Sequence, residues 1–146
     1  MAVRQGIYDP QVTDDLLKEA RTLFEAAERD LSALRGMHDS TVFADEIFGF
    51  HAQQAAEKLL KAWLTRLGES YPLTPNISRL VRLLQDHDAT ATRFRSLNEY
   101  SFYYAVQFRR GPSDFDEIPL NRDEALQRLD ALYQHVRQRL TETKGG

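Results

Sequence analysis

The sequence predicts an all-α protein, an antiparallel up-and-down four-helix bundle with one additional short helix. Three observations carry that reading. Apolar residues recur at steps of three and four in five separate stretches. No stretch alternates apolar and polar residues as a half-buried strand would, and no unit repeats at a fixed period. Finally, the stretch Phe43–Leu67 is apolar over too wide an arc to lie on a surface alone.

That middle stretch, FADEIFGFHAQQAAEKLLKAWLTRL, reads as one helix with Gly49 as its weak point. Phe48, Ala52, Ala55, Leu59, Ala62 and Trp63 share a face, which Phe43, Ile47 and Phe50 widen. Small residues at 52, 55, 56 and 62 let a neighbouring helix come close. The stretch is expected to be the central wall on which the other helices pack.

The remaining elements follow in order. Residues 1–12, with Gly6 and Pro10, read as a loose arm. A first helix is expected from about Thr13 to Arg35, with a stripe of Leu16, Leu17, Ala20, Leu23, Phe24, Ala27, Leu31 and Leu34. Thr13 is its expected N-cap, Asp14 and Asp15 suit the positive end of the helix dipole, and Gly36 stands at its stop. His38-Asp39-Ser40 turns into the central helix, which Gly68 ends.

Glu69–Asn76 carries Pro72 and Pro75 and reads as a crossing loop, with Thr74 or Asn76 capping a short helix from Ile77 to about His87. Ile77, Leu80, Val81 and Leu84 form that helix's stripe. A fourth helix is expected from about Ala91 to Phe108, with Phe94, Leu97, Tyr100 or Ser101, Tyr104 and Phe108 along one side and Phe102, Tyr103 and Val106 on a second apolar side. Gly111, Pro112 and Pro119 break the chain over Arg109–Leu120. Asn121 and Glu124 form a capping-box pattern for a last helix, Arg122 to about Thr141. Its stripe is Ala125, Leu126, Leu129, Leu132, Tyr133, Val136 and Leu140.

Length and composition bound the function. The 146 residues suit a single domain, 1–146, with its core at about 13–141 and loose ends. The formal net charge of −3 means that any nucleic-acid contact needs a local basic patch. Without cysteine there is neither disulfide nor thiolate chemistry. No apolar run reaches the roughly 20 residues that span a bilayer, and residues 1–10 lack the apolar core of a secretory signal, so a cytoplasmic protein is expected.

Several chemistries lack their residues. No Glu is followed by His three positions later, as di-iron bundles require, and His38, His51, His87 and His135 are scattered, so no metal is expected. There is no Gly-x-Ser-x-Gly, no phosphate-binding Gly-rich loop and no implied cofactor. His51 reads as a partly buried histidine bonded to a neighbouring side chain.

Two features remain. Gln53, Glu57 and Lys61 align at four-residue steps, as do Gln54 and Lys58, and Glu57 to Lys61 is a favourable helical ion pair. These rows read first as a solvated face and second as a polar groove between helices. Tyr103 and Tyr104 precede Gln107, Arg109 and Arg110 just before Gly111-Pro112. The two arginines either complement the helix dipole or, with the aromatic rings, stack bases and grip phosphate.

Two segments together resemble the HEPN family of helical bundles linked to nucleotides and RNA. HAQQAAEKLLKAWL, residues 51–64, matches a Gln-Ala-Ala-Glu-Lys-x-x-Lys-Ala pattern through Gln54, Ala55, Ala56, Glu57, Lys58, Lys61 and Ala62. YAVQFRRGP, residues 104–112, is similar to a Tyr-Ala-Val-x-x-Arg-Tyr-Pro helix end, with Arg109 on the family arginine. Arg110 replaces the usual Tyr, the proline is displaced to Pro112, and Thr74-Pro75 stands where the family often has Thr-His.

The resemblance implies a module that binds a nucleotide or RNA and works with a small nucleotidyltransferase as a toxin–antitoxin or sensor pair. It also implies a homodimer. Gln54, Lys58, Lys61, Tyr104, Arg109 and Arg110 are the candidate ligand-binding residues. The alternatives are a metal-independent RNA-cleaving toxin, with Arg109 the candidate catalytic residue, and a helical adaptor without ligand.

Some HEPN ribonucleases carry Arg-x4–6-His. Arg82…His87 and Arg128…His135 match it formally, though with this many arginines roughly one match arises by chance. Neither pair belongs to the Arg109 segment, and no His follows Arg109 at the required interval. The sequence therefore leans away from an enzyme.

Overall fold

Burial of the central helix organises the structure, a computed structural model that describes residues 10–106 and 120–142, with side chains for 14–105 and 120–142. The helices are α1 (Pro10–Gly36), α2 (Asp45–Arg66), α3 (Ile77–Gln85), a 3₁₀ helix (Ala89–Ser101), α4 (Phe102–Val106) and α5 (Arg122–Thr141). No strand occurs among the described residues. Helix α2 touches every other helix. Its residues Phe48, Ala52, Ala55, Ala56, Leu59, Leu60, Ala62, Trp63 and Leu64 are fully buried, as the wide apolar arc requires.

Helix α1 packs Ala20, Ala27, Leu31 and Leu34 into the core. Its Phe24 ring stacks on Tyr133 of α5 at 4.9 Å between centroids. The helix begins at Pro10 rather than at Thr13, so Thr13 lies inside it and is not its cap. Helix α2 stops where expected. Gly68 takes φ 81°, its N–H reaches Thr65 O, and the Glu69 N–H reaches Leu64 O, which together satisfy the last carbonyls of the helix.

Asn76, not Thr74, caps α3, accepting from the Arg79 N–H. Thr74 instead accepts from the Asn76 N–H at 3.1 Å. Two further N–H groups at this helix start are satisfied from the 3₁₀ helix. Ser78 N–H donates to Asn98 Oδ1 at 3.0 Å, and Ile77 N–H donates to Ser101 Oγ at 3.2 Å. Asn121 caps α5 by accepting from the Glu124 N–H, as its sequence pattern indicated.

The expected fourth α-helix is corrected. Ala89–Ser101 is a 3₁₀ helix, and α-helical geometry begins only at Phe102. Ala91, Phe94, Leu97 and Tyr100 are buried, while the residues between them are exposed. Their spacing is uniformly three, the period of a 3₁₀ helix, so each lands on the same side. An α-helix would rotate that row away from the core within two turns. Phe108 and the helix end expected there lie outside the described residues.

Arg122 is a structural anchor that its sequence position conceals. Its side chain is buried, and its guanidinium donates to Met37 O, to Phe43 O at 2.6 Å and to Asp45 Oδ1 at 2.7 Å. It also lies 4.9 Å from the Phe48 ring centroid. One side chain thus ties the start of α5 to both ends of the α1–α2 turn.

Candidate functional site

The Gln53, Glu57 and Lys61 row of α2 is not a solvated face. Gln53 is 0% exposed and Lys61 is 7% exposed. Burial of such groups requires partners, and they have them. Gln53 Nε2 donates to Glu57 Oε1 at 2.9 Å and to Pro75 O at 2.8 Å. Lys61 Nζ meets Glu57 Oε2 at 2.7 Å and lies 5.2 Å from the Tyr71 ring centroid. This row therefore fastens the crossing segment 69–76 onto α2. Lys61 spends its charge within that network.

The neighbouring row stays accessible. Phe50, Gln54 and Lys58 follow at four-residue steps, with His51 beside them, and all four are half-buried. Lys58 Nζ pairs with Asp30 Oδ2 of α1 at 2.7 Å. His51 Nδ1 lies 3.8 Å from Asp30 Oδ1, so the Asp30 carboxylate sits beside both Lys58 and His51. Gln54 Nε2 donates to Gln53 Oε1 at 2.7 Å, which links this row to the buried one.

At the other end, the Phe50 ring stacks on Tyr104 at 6.1 Å and meets the His51 ring edge-on at 5.6 Å. The result is a strip along α2, aromatic at Phe50 and Tyr104, polar at Gln54 and, at Lys58, an ammonium group held by Asp30. Aromatic faces accept a base by stacking, and an ammonium group close by suits phosphate.

Of the six sequence candidates, the structure places Gln54, Lys58 and Tyr104 along this strip and Lys61 in the enclosed row. Arg109 and Arg110 lie outside the described residues. Phe50, His51 and Asp30 were missed as site residues. The four-residue step from Phe50 through Gln54 to Lys58 was the available signal for Phe50.

The two formal Arg-x4–6-His pairs are not assembled as catalytic pairs. His87 Nε2 faces Glu69 Oε1 at 3.3 Å, while Arg82 is exposed. Arg128 is ion-paired with Glu99 and Glu124, while His135 packs between Trp63 and Phe94. Among the described residues, no group of three or more His, Asp or Glu side chains could hold a metal ion. None of the described helices is long and apolar enough to cross a membrane.

No curated protein and no solved structure matches the chain. The family model of the HEPN domain does, over residues 14–139. That span takes in the α2 strip and the helices packed around it, and the chain belongs to the HEPN domain family.

Proposed function

We propose that this HEPN-domain protein binds a nucleotide or a short RNA along the α2 strip and carries out no chemistry on it. The observation that supports this best is the row of Phe50, His51, Gln54 and Lys58 with Tyr104 stacked at one end. A base would stack on Tyr104 or Phe50, the Gln54 amide would read a polar edge, and Lys58 would face phosphate. Arg109 and Arg110 follow Tyr104 closely in sequence and would add phosphate contacts from the next segment. The wider setting belongs to the same reading: a cytoplasmic homodimer paired with a small nucleotidyltransferase in a toxin–antitoxin or sensor system.

Thermal unfolding with ATP and with a short RNA tests the binding. A ligand at about 100 times its Kd stabilises a fold by about 2.7 kcal/mol, a clear rise in Tm. Tyr104→Ala and Arg109→Ala should abolish that rise while leaving the unliganded Tm within a few degrees. No rise with either ligand would overturn the reading in favour of an adaptor. RNA cleavage that disappears in Arg109→Ala would overturn it in favour of the toxin.

A further inference from the structure

A second polar site lies where α5 meets the 3₁₀ helix. Ala131, Gln134, His135 and Gln138 share one face of α5 and, with Arg93, line a surface pocket of about 310 Å³. None of these residues belongs to the α2 strip. No acidic side chain lines the pocket. Arg93 has no carboxylate partner among the described residues; its guanidinium lies 5.2 Å from the Phe94 ring centroid. Nearby Arg139 is compensated, by Asp88 at 2.9 Å and Glu142 at 3.6 Å.

His135 forms the floor of the pocket. It is 8% exposed, with its ring 4.9 Å from Trp63 and 5.2 Å from Phe94. Its tautomer follows from the bonds around it. Thr90 Oγ1 lies 2.6 Å from Asp88 Oδ1, and the carboxylate can only accept, so the hydroxyl proton points there. Thr90 Oγ1 must therefore accept from His135 Nε2, 2.9 Å away, which places the ring proton on Nε2. Nδ1 is left with a lone pair, which accepts from the Arg93 Nη1 N–H at 3.5 Å, a bond that protonation of the ring would release. In this form the imidazole offers an anion nothing. Protonation would turn Nδ1 into a second donor beside an uncompensated guanidinium.

We propose that this pocket binds a small oxyanion, a free phosphate or the terminal phosphate of a nucleotide, between Arg93 and protonated His135, with binding coupled to proton uptake by that ring. The charged groups around the ring are Arg93 from the 3₁₀ helix, Asp88 acting through Thr90, and Arg139 and Glu142 at the end of α5; α2 contributes the Trp63 ring. Burial, then Arg139 and Arg93, hold the His135 pKa below its ordinary value, so the empty pocket keeps a neutral ring near pH 7. A bound anion offsets the two arginines. By linkage it raises the His135 pKa as much as protonation raises anion affinity.

Sulfate is the first probe, because its own charge is constant between about pH 5.5 and 7.5 and any pH dependence belongs to the protein. Calorimetric titration should give about tenfold tighter binding at the lower pH, matching a His135 pKa raised by about one unit. Repeating it in two buffers of different ionisation enthalpy should show net proton uptake that peaks at about half a proton per sulfate midway between the free and bound His135 pKa values. The His135 imidazole NMR signals should titrate at higher pH in saturating sulfate.

Arg93→Gln should abolish binding. His135→Gln should leave weak binding without pH dependence, with circular dichroism confirming that both variants fold. Sulfate affinity that is flat with pH, or His135 signals that sulfate does not move, would overturn the proposal. The source is then read at fixed low pH. A nucleoside monophosphate that binds tenfold tighter than inorganic phosphate assigns a nucleotide terminus, and equal affinity assigns the free anion.

Discussion

At position 49, the absence of a side chain decides how Tyr103 packs. A Cβ there would lie 2.3, 2.4 and 2.6 Å from three carbons of the Tyr103 ring. Helix propensity alone makes Gly49→Ala favourable by about 1 kcal/mol. Overpacking a filled site costs about 1–3 kcal/mol, and Tyr103 is only 5% exposed. Gly49→Ala should therefore destabilise the protein, by up to about 2 kcal/mol in urea denaturation. In a Tyr103→Ala background, the same change should stabilise it. The sequence marks Gly49 only as a weak point in a helix, because its partner is far along the chain. The same blindness affected Gln53 and Lys61. Periodicity locates a polar residue on a face but does not reveal whether a carbonyl such as Pro75 O waits there.

Among the elements, the starts of α5 and α3 were legible because a cap candidate and an apolar stripe agreed at each, Asn121 alone for α5 and Asn76 as one of two candidates for α3. Asn121 and Asn76 both accept the N–H three residues on. The 3₁₀ helix was not legible as such, because a step of three occurs in both helix types. Its geometry can be tested by contrast. Leu97 is 1% exposed and Leu97→Ala should cost about 2–4 kcal/mol. Arg95 would approach the core if this segment were an α-helix but is exposed here, so Arg95→Ala should change stability by less than about 0.5 kcal/mol. Denaturation midpoints of the two variants separate the geometries. The α2 strip was half legible. Gln54, Lys58 and Tyr104 stood out by spacing and type, whereas Asp30 entered only through the packing of α1 on α2.

For the molecule as a whole, the junction of Asp88, Thr90, His135 and Arg139 makes stability depend on acid. The folded state holds the His135 pKa below 6.5, chiefly by burial. The unfolded chain therefore binds more protons as pH falls past that value, and stability declines from about pH 6.5 downward. Asp88 acts lower. Burial pushes its pKa up, but the bonds from Thr90 and Arg139 together outweigh that and hold it below 3.8, so its contribution is present above that value and is lost as pH falls through the folded-state pKa. Tm measured against pH in chloride buffers should fall in two stages, and His135→Gln should flatten the first. This junction could not be read from the chain, since it joins residues 45 and 51 positions apart. Of its residues only His135 had stood out, in a formal Arg-x4–6-His match with Arg128 that the structure does not assemble.

The uniform spacing of Ala91, Phe94, Leu97 and Tyr100 also constrains how this protein can change length over evolutionary time. Loss of one residue there turns everything beyond it by about 120° and points exposed positions such as Arg95 and Asn98 inward. Loss of three removes a single turn and leaves the buried side intact. The segment behaves like a reading frame, in which drift in triplets is tolerated and drift in singles scrambles the core.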